Sequence, residues 1–160
     1  EDFSGGGERS IVLEILEREE DCPDTDIAAL LFKDAAEANA SPTREVLRQR
    51  RLKDEEVPLL SSSPPCPASW LSFWTLSGLQ RVAKFREEIA RPVLLHILVA
   101  RLPNVRSELL LTLNDPLSMD GNLKDVEEAM ERGAALLATL AASLRINDWS
   151  LFGEDDRELT

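Results

Sequence analysis

Two long apolar runs separated by one short turn occupy residues 92–116, and they constrain the fold more than any other part of the sequence. The first run, from Pro92 to Arg101, is interrupted only by His96. A membrane span needs about 20 apolar residues, so this run predicts a strand covered on both faces. A Pro-Asn pair at 103–104 predicts a turn, and the second run returns from Val105 to Asn114. The segment predicts an antiparallel hairpin at the centre of a sheet.

A third strand is predicted just before the hairpin. Trp70 to Leu76 alternates well and is rich in aromatic residues, which favours a strand. Ser77-Gly78 indicates a turn or a bulge, after which Leu79 to Phe85 resumes as a strand. The three tryptophans, at 70, 74 and 149, are expected to lie in the core.

Two helices are predicted before the sheet. Ser10 fits the N-cap of a helix from Ile11 to about Glu20, and Pro23 ends it. A second helix is predicted from Ile27 to Ala38, because its apolar positions follow the i, i+3, i+4 spacing.

A long helix is predicted to close the domain. Asn122 caps it, and it runs from Leu123 to about Arg145. Gly133 weakens its middle by up to about 1 kcal/mol relative to alanine and allows a slight bend. After the helix, an apolar clasp is expected to fold back on the core; it consists of Trp149, Leu151 and Phe152.

The segment 41–69 carries no single pattern. Val46 to Val57 mixes basic and acidic residues, and a strand, a surface ribbon or a short helix all fit it. The Ser-Pro-rich run at 61–67 predicts a loop, and the whole segment is expected to be a loop insertion. Its basic residues fit a docking patch, although a solvated face is the simpler interpretation. The full order of elements predicts a single domain of mixed α/β (α+β) class, a mainly antiparallel sheet flanked by helices.

The charge balance limits the partners. The 160-residue chain has 30 acidic and 18 basic residues, a net charge of −12. Such a field repels nucleic acid and anionic membrane surfaces and favours a basic protein surface. No run is long enough to span a membrane, and no signal-peptide pattern is present. Cys22 and Cys66 are isolated from each other and flanked by prolines, so a reducing compartment is expected.

The sequence offers little bond-making chemistry. His96 lies within an apolar run, where a buried, hydrogen-bonded role is favoured over a catalytic one. No nucleophile elbow, phosphate-binding glycine loop or histidine-rich ligand set is present. The prediction is therefore a non-catalytic binding protein with no cofactor and no metal.

Several motifs, taken in order, resemble a known family. They are Leu76-Ser77-Gly78-x-Gln80-x-Val82-Ala83-Lys84, Arg101-Leu102-Pro103, Leu109-Leu110-Leu111-Thr112-Leu113-Asn114-x-Pro116 and Asp148-x-x-Leu151-Phe152-Gly153. Ser10 to Glu17 is similar to the first helix of that family, and Phe32-x-Asp34 is similar to its second. Together they cover residues 10–40 and 70–153 and resemble the Ran guanine-nucleotide release factor family, the small Mog-type proteins.

The resemblance implies a PsbP-like α/β/α sandwich that binds the GTPase Ran and promotes release of its nucleotide. It also implies support of nuclear protein import and a location in nucleus and cytoplasm; we expect a monomer. The family begins with an extra strand and an acidic Pro-Asp-x-Gln-Glu-Val loop that have no counterpart here. The chain is therefore expected to begin after them.

Five residues are predicted to contact the partner. Glu14, Glu17 and Asp34 are acids in the segments that resemble the two family helices. Gln80 and Lys84 lie on a predicted strand and could present a polar patch. The three acids also fit ordinary solvated helix positions, and Lys84 also fits a pair with a neighbouring glutamate.

Two other functions fit the same fold. A trafficking or assembly adaptor would use the sandwich without acting on a GTPase; the channel-trafficking role of some animal members of the family points to it. An accessory protein of photosynthetic membranes, similar to PsbP, would carry a transit peptide upstream.

Overall fold

The computed structural model describes residues 9–39, 41, 44–61, 68–82, 91–118 and 122–152. In chain order its strands and α-helices are β1 (Ser10–Glu17), α1 (Ile27–Ala38), β2 (Arg44–Arg51), α2 (Pro58–Ser61), β3 (Ser72–Val82), β4 (Arg91–Leu102), β5 (Ser107–Pro116) and α3 (Leu123–Ser143). The strands form one antiparallel sheet in the order β1-β5-β4-β3-β2. The predicted antiparallel α/β sandwich is confirmed.

The predicted central hairpin consists of β4 and β5, which pair from Val93↔Pro116 to Leu102↔Ser107. Every residue of β4 after Arg91 is buried. Alternate side chains of β4 enter different cores because successive strand residues point to opposite faces. One set, Val93, Leu95, Ile97 and Val99, packs with α1, whereas Leu98 and Ala100 pack in the cluster that includes α3. Both faces of the hairpin are therefore covered, as its continuous apolar runs predict.

Helix α1 covers one face of the sheet and has the predicted bounds. Ile27, Ala28, Leu31, Phe32 and Ala36 are its buried residues. The ring of Phe32 lies so close to Gly78 of β3 that a Cβ at this position would overlap the ring. Gly78 therefore provides clearance for α1. Of the two alternatives predicted at Ser77-Gly78, the turn is wrong, since β3 is continuous through it. The β2–β3 register does shift at these two residues, as a bulge requires, with the extra residue on β2.

Helix α3 covers the opposite face. Asn122 caps it as predicted: its side-chain oxygen accepts a hydrogen bond from the Asp125 amide at 2.9 Å. The helix ends at Ser143, slightly before the predicted Arg145. A Cβ at Gly133 would overlap the ring of His96 on β4, so this glycine allows close packing of helix on sheet.

The predicted apolar clasp is present in part. Trp149 and Phe152 lie in a short 3₁₀ turn, with ring centroids 5.7 Å apart, and both pack against the α3-side core. Leu151 is 66% exposed, so its expected place in the clasp is wrong.

Strand β1 corrects the first predicted helix. Residues Ser10–Glu17 pair with β5 from Ser10↔Asn114 to Glu17↔Ser107. Ser10 is not an N-cap; its hydroxyl oxygen accepts a hydrogen bond from Asn114 Nδ2 at 3.1 Å. The Ile11-Val12 pair favours an extended backbone. Ile11, Leu13 and Ile15 fit a two-residue period, whereas Ile11, Ile15 and Leu16 fit the helical period on which the helix was predicted.

Strand β2 forms the other edge of the sheet, so segment 41–69 is not all loop. All eight residues of β2 are exposed, and its register against β3 shifts between Val46 and Arg48, opposite Gly78. The strand interpretation is therefore the correct one for residues 44–51. Of the Ser-Pro run at 61–67, Ser61 is the last residue of α2, so the loop prediction is wrong there, and residues 62–67 lie outside the described residues. Whether the segment is an insertion stays a prediction. Within the described ranges, no helix has the length and apolarity required to cross a lipid bilayer.

A carboxylate-lined cleft between strand β1 and helix α1

A cleft of about 540 Å³ opens between β1 and α1, because α1 does not extend across the sheet to its β1 edge. Its floor is formed by β4 and β5 through Leu95, Leu110, Thr112 and Asn114. Its walls come from β1 with the loop after it and from α1; they are Val12, Glu14, Leu16, Glu17 and Glu19 on one side and Leu31, Asp34, Ala35, Ala38 and Asn39 on the other. The floor thus combines two leucines with two polar residues, and the walls combine apolar residues with four acids.

Three of the five predicted partner-binding residues lie in this cleft. Glu14 and Glu17 come from β1, Asp34 comes from α1, and all three are exposed. Glu19, also exposed, adds a fourth carboxylate that the sequence analysis did not select. Among the described residues that line the cleft, none is a lysine, an arginine or a histidine. Four acidic residues along this lining give a negative potential that attracts basic side chains.

The two walls are placed by packing and pairing rather than by contacts within the cleft. Glu14 is opposite Leu110 and Glu17 is opposite Ser107 in the β1–β5 ladder. Asp34 lies on the exposed side of α1, whose opposite side is buried in the core through residues such as Leu31. Glu14, Glu17 and Asp34 are therefore held on regular elements, whereas Glu19 lies in the loop after β1.

Gln80 does not present a polar patch, so its expected surface position is wrong. Its side chain is 1% exposed. Gln80 Nε2 donates to the carbonyl of Phe32 at 3.2 Å, and its Oε1 accepts from Asn39 Nδ2 at 3.3 Å. The amide satisfies groups of α1 and so helps to fix one wall of the cleft. Lys84 lies outside the described residues.

A buried ion pair that the sequence analysis missed lies beside the cleft. Arg101 of β4 and Glu108 of β5 face each other across the hairpin, 1% and 0% exposed. Arg101 Nε donates to Glu108 Oε1 at 2.8 Å. Burial raises the pKa of Glu108, and the charge and hydrogen bond of Arg101 oppose that rise. The sequence contains an indication of this pair, because two opposite charges seven residues apart flank the turn between runs that are otherwise apolar.

His96 has the buried role that was favoured for it. It is 0% exposed, and its Nδ1 lies 2.7 Å from Ser77 Oγ. Burial lowers the pKa of His96, opposed in part by the charge of Asp115 and by the carbonyl of Ala129. The imidazole is therefore neutral at pH 7. The ring is surrounded by the β-sheet and by the backbone of α3, so it lies in the core and away from the cleft.

Two other cavities do not gather the predicted residues. One, of about 530 Å³, is lined by Leu111, Leu140, Ser143, Leu144, Arg145 and Asn147. The other, of about 200 Å³, lies between β2 and the alanine-rich side of α3. In the described ranges, no group of three or more His, Cys, Asp or Glu side chains is arranged to hold a metal ion.

Comparison with known proteins connects this architecture to one family. Residues 3–116 match the family model described as Mog1, Ran-interacting Mog1 protein. Proteins named Ran guanine nucleotide release factor are similar over most of the chain. The one from Danio rerio is 31% identical over 156 residues, covering 91% of this chain and 79% of its own length. The one from Bos taurus is 27% identical over 150 residues, covering 92% and 77%.

Solved structures support the fold. The structure of a point mutant of Protein Mog1 aligns with a TM-score of 0.59 at 15% identity, covering 91% of this chain and 71% of that one. The Saccharomyces cerevisiae Ran-binding protein Mog1p aligns with a TM-score of 0.55 at 14% identity, covering 83% and 64%. At these identities the likeness concerns the fold alone.

The fold and the cleft define a class: a five-stranded antiparallel sheet between helices, with an open, acidic groove suited to a basic surface. Within that class, the family match over residues 3–116 and the 31% identity to a relative settle the membership. The chain belongs to the Mog1 family.

Proposed function

We propose that this protein binds the GTPase Ran and promotes release of its guanine nucleotide. The observation that carries the proposal is the convergence of Glu14, Glu17 and Asp34 on one cleft in a chain of this family. Relatives that share most of its length are named Ran guanine nucleotide release factor. We assign the cleft between β1 and α1 as the partner-binding site.

The mechanism is differential binding rather than bond chemistry. A protein that holds the nucleotide-free GTPase more tightly than the nucleotide-filled one accelerates nucleotide loss. The phosphate site of a GTPase is surrounded by positive potential, which carboxylates can engage once the nucleotide loosens. Because Glu14, Glu17 and Asp34 are already in place on β1 and α1, little ordering of these three residues is needed when the partner arrives.

The energy required is modest. A 100-fold increase in nucleotide dissociation corresponds to a binding preference of about 2.7 kcal/mol for the nucleotide-free state. A few charge-assisted contacts, each contributing about 1.5–3 kcal/mol, can supply this preference. One cleft is therefore large enough for the proposed role.

The cellular setting is part of the same proposal. A protein that acts on Ran works in nucleus and cytoplasm and in support of nuclear protein import. We propose that it acts as a monomer without a cofactor, since the net charge of −12 makes self-association unfavourable.

The test is the rate of fluorescent GDP loss from Ran, followed by stopped flow as the protein is titrated. The wild type should raise the rate in a saturable manner. Glu14→Gln/Glu17→Gln should reduce that stimulation by about tenfold, because two of the four cleft carboxylates become neutral. Glu127→Gln/Glu131→Gln is the matched control, since it neutralises two acids of α3 on the other face of the sheet.

Two outcomes would contradict the proposal in different ways. A complex with Ran that leaves the GDP rate unchanged would favour the adaptor role. Equal loss of activity in both double variants would show that total charge, not the cleft, governs the interaction.

A further inference from the structure

A short acidic loop borders the cleft and joins its two walls. Residues 18–26 connect β1 to α1, and five of these nine residues are acidic. Within the loop, the Cys22 amide donates to the Glu19 carbonyl at 3.2 Å, and the Asp26 amide donates to the Pro23 carbonyl at 2.9 Å. A loop with so many like charges repels itself, so its shape needs another source of stability.

That source is the guanidinium of Arg101. Its Nη2 donates to the Glu19 carbonyl at 2.7 Å, and its Nη1 donates to the Cys22 carbonyl at 2.6 Å. Nη1 also donates to Asp24 Oδ1 at 2.9 Å. One buried side chain of the central sheet thus binds the loop at three points.

Glu108 orients the guanidinium from the opposite side. Its Oε1 accepts from Arg101 Nε at 2.8 Å and lies 3.4 Å from the Glu19 amide nitrogen, which donates to it. The planar guanidinium offers donors in a fixed fork, so its contact with Glu108 fixes the direction in which Nη1 and Nη2 point. A lysine ammonium offers no such fork.

We infer that Arg101 is a positioning residue that holds the acidic loop 18–26 in the shape the partner recognises. This loop is then a further part of the Ran-binding surface. The inference rests on the proposed function. Arg101 itself is 1% exposed and does not meet the partner; it acts through the carboxylates of the loop, of which Glu19 already lines the cleft.

The variant that tests the inference is Arg101→Met/Glu108→Leu. Both charges leave together, so no unpaired charge stays buried, and folding is expected to be disturbed less than by removing either partner alone. Amide hydrogen exchange across residues 19–26 should accelerate at least tenfold, and the Kd for nucleotide-free Ran should rise at least tenfold. The dependence of log Kd on log salt should also become shallower, because the disordered loop no longer presents its charges together. A merely structural role would leave this slope unchanged.

Two further variants complete the experiment. Asp24→Asn removes the charge from one loop contact of Arg101 at a half-exposed carboxylate, so it should weaken binding about threefold without altering the sheet. Asp24→Asn tests the inference by itself if Arg101→Met/Glu108→Leu does not fold. Arg50→Met/Glu56→Leu is the matched control, since it removes an Arg–Glu pair at the opposite edge of the sheet and should leave the Kd unchanged.

The failures are distinguishable. This inference is overturned, while the proposed function stands, if folded Arg101→Met/Glu108→Leu has a loosened loop but keeps the wild-type Kd and the wild-type salt dependence of Kd. Unchanged exchange in the loop would also overturn it. A wild-type protein that does not bind Ran would remove the proposed function itself, and the inference with it.

Discussion

At the residue scale, close contacts between single side chains and glycines set how the layers approach. Gly133 of α3 and His96 of β4 form one such contact, and Gly78 and Phe32 form another. From the sequence, Gly133 is predicted only as a weak point in a helix, because a close contact between residues far apart in the chain leaves no local pattern. His96, by contrast, was placed correctly, since an apolar run on both sides predicts burial.

Gly133→Ala is expected to destabilise the protein despite the better helix propensity of alanine. The gain of up to about 1 kcal/mol in propensity is outweighed by overpacking against the His96 ring, which typically costs about 1–3 kcal/mol. Urea unfolding followed by circular dichroism measures the difference. His96→Ala should recover much of the loss when added to Gly133→Ala. A stabilised Gly133→Ala would contradict the close contact.

His96 should also make stability depend on pH. Burial lowers its pKa in the folded state, so the unfolded chain binds the proton first. Its contribution to stability is fully present above about pH 6.5 and falls as the pH drops below that value, by at most about 1.4 kcal/mol per pH unit. Urea unfolding at pH 7.5 and 5.5 should show this loss in wild type and a smaller one in His96→Gln. Equal losses would mean that other groups cause the dependence.

At the element scale, the elements predicted correctly from the sequence are those whose residues fit one periodicity only. Helix α1, the β4–β5 hairpin and the Asn122-capped α3 follow from spacing and caps alone. Strand β1 was predicted as a helix because its eight residues fit both periods, and pairing with β5 decided between them. The same pairing brought Glu14 and Glu17 to the cleft, whereas burial removed Gln80 from the predicted patch.

The N-cap of α3 gives a test at this scale. Asn122→Ala removes the side-chain acceptor for the Asp125 amide and should lower the free energy of unfolding by about 1 kcal/mol. Asn122→Ser should restore most of it, because serine also caps well. Thermal and urea unfolding of the three proteins check this order, and identical stabilities would contradict the cap.

At the scale of the whole molecule, the two edges of the sheet differ in charge. Edge strand β1 borders the cleft, which is lined by four acidic residues. Edge strand β2, by contrast, carries four arginines in eight residues. The excess of acidic residues favours a basic partner, but only the folded sheet shows which edge gathers the acids around a cavity. Under the proposed function, this acidic edge is the one that contacts Ran.

The most direct test of the cleft as the binding site is carboxylate footprinting of the protein with and without nucleotide-free Ran. Carbodiimide labelling followed by mass spectrometry reports the accessibility of each acid. Glu14, Glu17 and Asp34 are predicted to lose labelling in the complex, whereas Glu127 and Glu131 on α3 keep theirs. Protection of the α3 acids with unchanged labelling in the cleft would contradict the account.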